Sequence, residues 1–195
     1  MLDSILKGII SELKQDILSS RAGGWPPESV LSFLRGLPPQ TVGTKFGCEL
    51  VRRLLERENV SCWRAGTRLY DIVISARKGE DGTRVEVKCS TELPQRRFQQ
   101  VRDPRPEEAG GRWRYDCLVC VGVSPDNLTF WFVPGEEVAR LIDDGLITVQ
   151  HADSETNWFF PNEDYDRCPF KPYVVDRSAL VRAIVNQPAL GAVRQ

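Results

Sequence analysis

The sequence predicts an α/β fold, a central mixed β-sheet flanked by helices, with an N-terminal helical region ahead of it. Three observations predict it. Apolar residues recur at helical spacing near the N-terminus and again before residue 59, β-branched and alternating runs follow, and turn residues divide those runs into hairpins. A chain of 195 residues suffices for one domain with a sizeable core and is short for two. The expected organisation is a helical region at 1–40, a core at 41–144, and an extension with a final helix at 145–195.

Leu2, Ile5, Leu6, Ile9, Ile10, Leu13 and Ile17 share one face of a helix, which Gly23-Gly24 and Pro26-Pro27 end. Glu28 to Leu34 reads as a short helix between Pro27 and Gly36. From Thr44 to Glu58, Phe46, Leu50, Val51, Leu54 and Leu55 line the buried side of a second strong helix. Leu69 to Ser75 is β-branched and apolar, and Arg84 to Cys89 alternates polar with apolar. Lys78-Gly79-Glu80-Asp81-Gly82 between them makes the pair an antiparallel hairpin. The basic segment Thr91 to Arg114 is expected to be partly helical around Arg96 to Arg102. Tyr115 to Val123 and Leu128 to Val133 read as two more strands. A helix follows from Pro134-Gly135 to about Asp143, and another from Arg177 to Asn186 with Asp176 as its N-cap. The aromatic-rich stretch Gly145 to Tyr173 matches no simple period.

Composition narrows the function. With 41% hydrophobic and 27% charged residues, the chain is an ordinary globular protein rather than a disordered one. No apolar run is long enough for a bilayer, and charges interrupt the first helix as in an amphipathic element, so a cytoplasmic protein without a membrane partner is expected. The lone C-x-x-C, Cys117 to Cys120, sits in an apolar strand without a second ligand pair, so the six cysteines read as buried thiols rather than a zinc site. His151 is the single histidine, which disfavours a Ser-His-Asp hydrolase. The net charge of −1 conceals a basic stretch, Arg96, Arg97, Arg102, Arg105, Arg112 and Arg114, and the local field decides what a cleft attracts.

Within this scaffold Asp71 interrupts an apolar strand, where a carboxylate needs a metal, a cation or hydrogen bonds. On the partner strand Arg84, Glu86 and Lys88 point one way and Val85, Val87 and Cys89 the other. Glu86 and Lys88 are therefore neighbours, about 7 Å apart along the strand, and the hairpin brings Asp71 beside Glu86. Two carboxylates can hold Mg²⁺ while leaving it room for a phosphate. The adjacent lysine can orient water, assist its deprotonation or stabilise developing negative charge. The residue set points to metal-assisted phosphodiester cleavage.

Asp71, the hairpin, Glu86-Val87-Lys88 and Glu49 on the preceding helix resemble the PD-(D/E)xK nucleases, over roughly Thr44 to Glu137. The order Glu86-Val87-Lys88-Cys89-Ser90-Thr91, Arg97-Phe98-Gln99-Gln100-Val101-Arg102, Tyr115 to Val119 and Phe130 to Pro134 is similar to a subset of type II restriction endonucleases. Tyr70-Asp71 stands where the family often has Pro-Asp. The resemblance implies a restriction-endonuclease-like core, Mg²⁺ on Asp71 and Glu86, and catalytic roles for Lys88, Glu49 and Gln99. It further implies a homodimer acting on double-stranded DNA. Arg96, Arg97, Arg102, Arg112 and Arg114 become candidates for phosphate contacts. Other readings stay open: Asp71 paired with Arg64 or Arg68, Glu86 and Lys88 as ordinary cross-strand charges, Glu49 as a helix ion pair with Arg52 and Arg53, and the same chemistry in a repair, nicking or junction-resolving nuclease, or an inactive DNA-binding module.

Overall fold

Helix α1 (Ser4–Leu18) begins where the Asp3 carboxylate accepts the Leu6 N–H at 2.9 Å, and it buries Leu6, Ile9, Ile10 and Leu13. A computed structural model of the chain describes residues 3–18, 30–34, 37–91, 97–107, 111–124, 127–150, 155–159 and 168–190. The expected helix at Glu28 to Leu34 is seen as a 3₁₀ turn, Ser32–Leu34, its start lying outside the described residues. The second helix is built in three parts: a short α2 (Pro39–Thr41), a π-helical turn (Val42–Gly47) and α3 (Cys48–Arg57). Its expected apolar face, Phe46, Leu50, Val51, Leu54 and Leu55, is buried.

The central sheet has six strands: β1 (Cys62–Arg64), β2 (Ile72–Ile74), β3 (Thr83–Ser90), β5 (Cys117–Ser124), β6 (Asn127–Pro134) and β9 (Val174–Val175), in that spatial order. β3 and β5 run parallel and the other pairs antiparallel, so the sheet is mixed as expected. A smaller antiparallel sheet, β4 (Phe98–Arg102), β8 (Thr156–Phe159) and β7 (Thr148–Val149), covers part of one face. Helices α4 (Gly135–Asp143) and α5 (Arg177–Val185) complete the layers. The Asp176 side chain caps α5 by accepting the Ala179 N–H at 2.7 Å.

Two apolar clusters explain why β5 is buried from Cys117 to Val123. Val119 and Val121 pack with α1, α3 and α5, whereas Leu118 and Cys120 pack with β4, β8 and α4. A strand covered on both faces reads as a continuous apolar run. Cys117 and Cys120 consequently point to opposite faces and cannot share a ligand.

One expectation is corrected. Residues 98–102 form strand β4, not a helix. Phe98 and Val101 are both buried, and a β-bulge places Gln99 and Gln100 opposite a single position of β8. That extra residue lets two apolar side chains three apart face the same core. β1 was not anticipated, and neither were β7 to β9, which are two to four residues long. Such short strands carry too few alternations to register as a period.

Glu137 on α4 accepts from the Arg140 guanidinium and the Tyr173 hydroxyl, which hold its carboxyl at about 2, below the ordinary 4.5. A carboxylate with a depressed pKa contributes stability that is complete above pH 4.5 and is lost as pH falls toward 2. We expect urea unfolding of Glu137→Gln to differ less between pH 5 and pH 3 than that of the wild type. Equal pH dependence in the two proteins would exclude this contribution.

Candidate functional site

The β2–β3 register pairs Ile72 with Val85 and Val73 with Arg84, so one step further Asp71 stands opposite Glu86. Asp71 remains on the ladder although it precedes β2. Its N–H donates to the Val85 carbonyl at 2.9 Å, and its carbonyl accepts from Ala65 at 2.8 Å. One carboxylate oxygen, Oδ2, accepts the Val87 N–H at 2.9 Å. Among the described residues neither Arg64 nor Arg68 pairs with Asp71, whose carboxylate is met by the Val87 N–H.

Glu86 and Lys88 share the opposite face of β3 from Val85, Val87 and Cys89, as the alternation predicts. Glu86 is 6% exposed, and its carboxylate accepts from the Lys88 ammonium. Burial pushes the Glu86 carboxyl up to about 7, and neighbouring Asp71 adds to this. Lys88 and Arg102 act in the opposite direction. Asp71 and Glu86 thus stand at facing positions of neighbouring strands, with the Lys88 ammonium paired to the Glu86 carboxylate.

These side chains line a cleft of about 620 Å³. It is lined by Asp71, Glu86 and Lys88, by Arg68, Arg97, Arg102, Gln99 and Gln100, and by Gln40 and Thr44 ahead of α3. Arg102 donates to the Arg68 carbonyl at 3.2 Å. Among the described residues no carboxylate pairs with Arg68, and Arg102 forms no ion pair.

The remaining sequence candidates are placed elsewhere or fall outside the described residues. Glu49 is held by Arg52 (2.5 Å and 3.0 Å) and Arg53 (3.2 Å), which keep its carboxyl below the usual range, and it does not line the cleft. Its place is therefore the helix ion pair rather than the metal site. Arg112 pairs with Asp81, and Arg114 pairs with Glu107 at 2.6 Å; neither lines the cleft. Arg96 and His151 lie outside the described residues. From the sequence Arg68 is weighed only as an ion-pair partner of Asp71, and Gln99 rather than Gln100 is put forward for the site; the structure places all three on the cleft lining. Arg68 stands in the turn-rich Gly66-Thr67-Arg68, three residues before Asp71.

Thiolate chemistry at Cys48 and Cys62 is disfavoured. Burial pushes the Cys48 thiol up to about 12, with Asp71 adding to the effect, and the Cys62 thiol up to about 11, so neither supplies a thiolate near neutrality. The oxygen donors of Asp71 and Glu86 suit a hard cation such as Mg²⁺, which retains several of its waters and needs only one or two carboxylates. A buried acid whose charge Lys88 and Arg102 offset only in part fits that partner. Among the described residues no group of three or more His, Cys, Asp or Glu is positioned to hold a metal, so a cation here would rely on two carboxylates.

The helix-to-strand distance is set by Gly47. A Cβ there would lie 2.4 Å from Cys89 Cβ and 3.1 Å from its Sγ. Gly47→Ala is expected to cost about 1–3 kcal/mol by overpacking. Adding Cys89→Ala should not restore stability, because the clashing Cβ stays. Thermal unfolding of both variants checks this, and a Gly47→Ala protein as stable as the wild type would refute it.

No protein-family model matches this sequence, and no curated protein matches it. Among the described residues no helix is long and apolar enough to cross a membrane.

Proposed function

We propose that the chain is a Mg²⁺-dependent endonuclease that hydrolyses phosphodiester bonds of double-stranded DNA in the cytoplasm, in the manner of a type II restriction endonuclease. The observation that carries the reading is the convergence of Asp71, Glu86 and Lys88 in one cleft that Arg68, Arg97 and Arg102 also line.

Asp71 and Glu86 would hold the cation, and the hydrogen bond from Val87 N–H orients the Asp71 carboxylate for that role. Bound Mg²⁺ supplies charge stabilisation at the phosphoryl oxygens and makes water easier to deprotonate. Lys88 contributes a positive charge where negative charge develops, and its ammonium donates hydrogen bonds that orient the attacking water. The arginines attract and position the phosphate backbone. A single short chain with one site cuts both strands of a symmetric target most economically as a homodimer, which we include in the proposal.

The test is a substrate panel digested by purified protein with Mg²⁺: long unmethylated duplex DNA, nicked duplex and branched DNA. Discrete fragments from the long duplex are expected. Cleavage confined to nicked or branched DNA would replace this reading with a structure-specific nuclease. Duplex binding without cleavage of any substrate would leave a DNA-binding module.

A further inference from the structure

The bulge in β4 carries more than packing. Phe98 pairs with Phe159 and Val101 with Asn157, so Gln99 and Gln100 together face one residue of β8. Regular alternation would send successive side chains to opposite faces. Here both glutamines are exposed and both line the cleft, while Phe98 and Val101 are buried. Gln100 accordingly takes a left-handed backbone, with φ of 57°, a conformation uncommon for residues other than glycine, and such residues cluster at ligand-contacting sites.

The bulge is fixed on both sides. Phe98 stacks on Phe159 with ring centroids 5.7 Å apart and meets Trp131 edge-on at 5.6 Å. Beyond it, the Asn157 amide donates to the Val101 carbonyl at 3.1 Å, and the Tyr115 hydroxyl donates to the Arg102 carbonyl. Among the described residues neither glutamine side chain has a hydrogen-bond partner within the protein. Two neutral amides are thus held on a rigid strand beside the carboxylates and the arginines.

We infer that Gln99 and Gln100 are specificity-determining residues that read a nucleobase next to the bond being cut, with adenine the base they fit. A neutral amide gains little from a phosphate, which the neighbouring arginines already serve. It offers a donor and an acceptor in one plane, the pattern that complements the N6 and N7 edge of adenine. This inference rests on the nuclease reading for the position of the cut, although base preference in binding can be measured without cleavage.

The experiment uses DNA duplexes randomised over a short window, full-length wild-type protein, Gln100→Gly and Gln99→Met. Glycine tolerates the left-handed backbone while removing the amide, and thermal unfolding checks that both variants are folded. The bound fraction in EDTA and the cleaved ends in Mg²⁺ are sequenced. Wild-type protein should enrich adenine at one position, and each variant should lower that preference about five- to a hundredfold, the discrimination a bidentate base contact gives. A preference retained in both folded variants overturns the inference. So does a uniform loss of affinity across all bases, which would mark a phosphate contact. Wild-type cleavage with no base preference overturns it while leaving the nuclease reading standing. Binding with an adenine preference that the variants lose, but without cleavage, supports the inference and removes the nuclease reading.

Discussion

Lys88→Ala is expected to slow DNA cleavage by about 10²- to 10³-fold, the usual loss when one group that stabilises transition-state charge is removed. The protein should stay folded, because Lys88 is only partly buried and its described side-chain partner is Glu86. Removing the ammonium also removes one of the two cations that offset the buried Glu86 carboxylate, so Glu86 should hold its proton more tightly. Lys88→Met keeps the aliphatic stem against β3 and should lose the same rate, which separates charge from packing. Single-turnover cleavage measures both variants. Rates within threefold of wild type would remove Lys88 from the chemistry.

The largest stability effect should come from a residue pair away from the cleft. Arg84 and Asp116 are 5% and 0% exposed, and the guanidinium meets the carboxylate at 2.8 Å and 3.1 Å. Asp116 also accepts the N–H groups of Arg84 at 2.6 Å and Leu190 at 2.5 Å. Arg84 further donates to the carbonyls of Trp113 and Leu190. The pair therefore ties the start of β3 to the start of β5 and to the segment after α5. Asp116→Ala leaves a buried guanidinium uncompensated and is expected to cost about 3–5 kcal/mol. For a domain of this length that lowers the melting temperature by roughly 6–20 °C. The double replacement Arg84→Met with Asp116→Leu should be milder than the single one, because an apolar pair needs no compensation. A loss under 1 kcal/mol in the single variant would contradict this account of the network.

Elements with a long, clean period were legible in the sequence. α1, α3, β3, β5, β6, α4 and the Asp176 cap of α5 each stand within a few residues of their expected positions. The Asp71–Glu86 juxtaposition followed from a hairpin whose register the alternation of Arg84 to Cys89 already constrained. β4 was misread because Phe98 and Val101, three apart, imitate a helical face, and a bulge satisfies the same burial with strand geometry. β8 could not be anticipated, since its partner β4 lies more than 50 residues away in sequence, a pairing that no local pattern encodes. Ion pairing decided the fate of the arginines. Arg112 and Arg114 find carboxylates only in the folded chain, whereas Arg102 is carried to the cleft by β4.

The measurement closest to the central claim is hydrolysis of duplex DNA by the purified wild-type protein and by Asp71→Asn, each with Mg²⁺ and with excess chelator. Asparagine keeps an acceptor for the Val87 N–H, so the site should remain folded while losing a charge that the cation requires. The expected result is cleavage by the wild type with Mg²⁺ only, and none by Asp71→Asn under either condition. Cleavage that survives the substitution or the chelator, or intact DNA in every lane, would contradict a metal nuclease built on Asp71, Glu86 and Lys88.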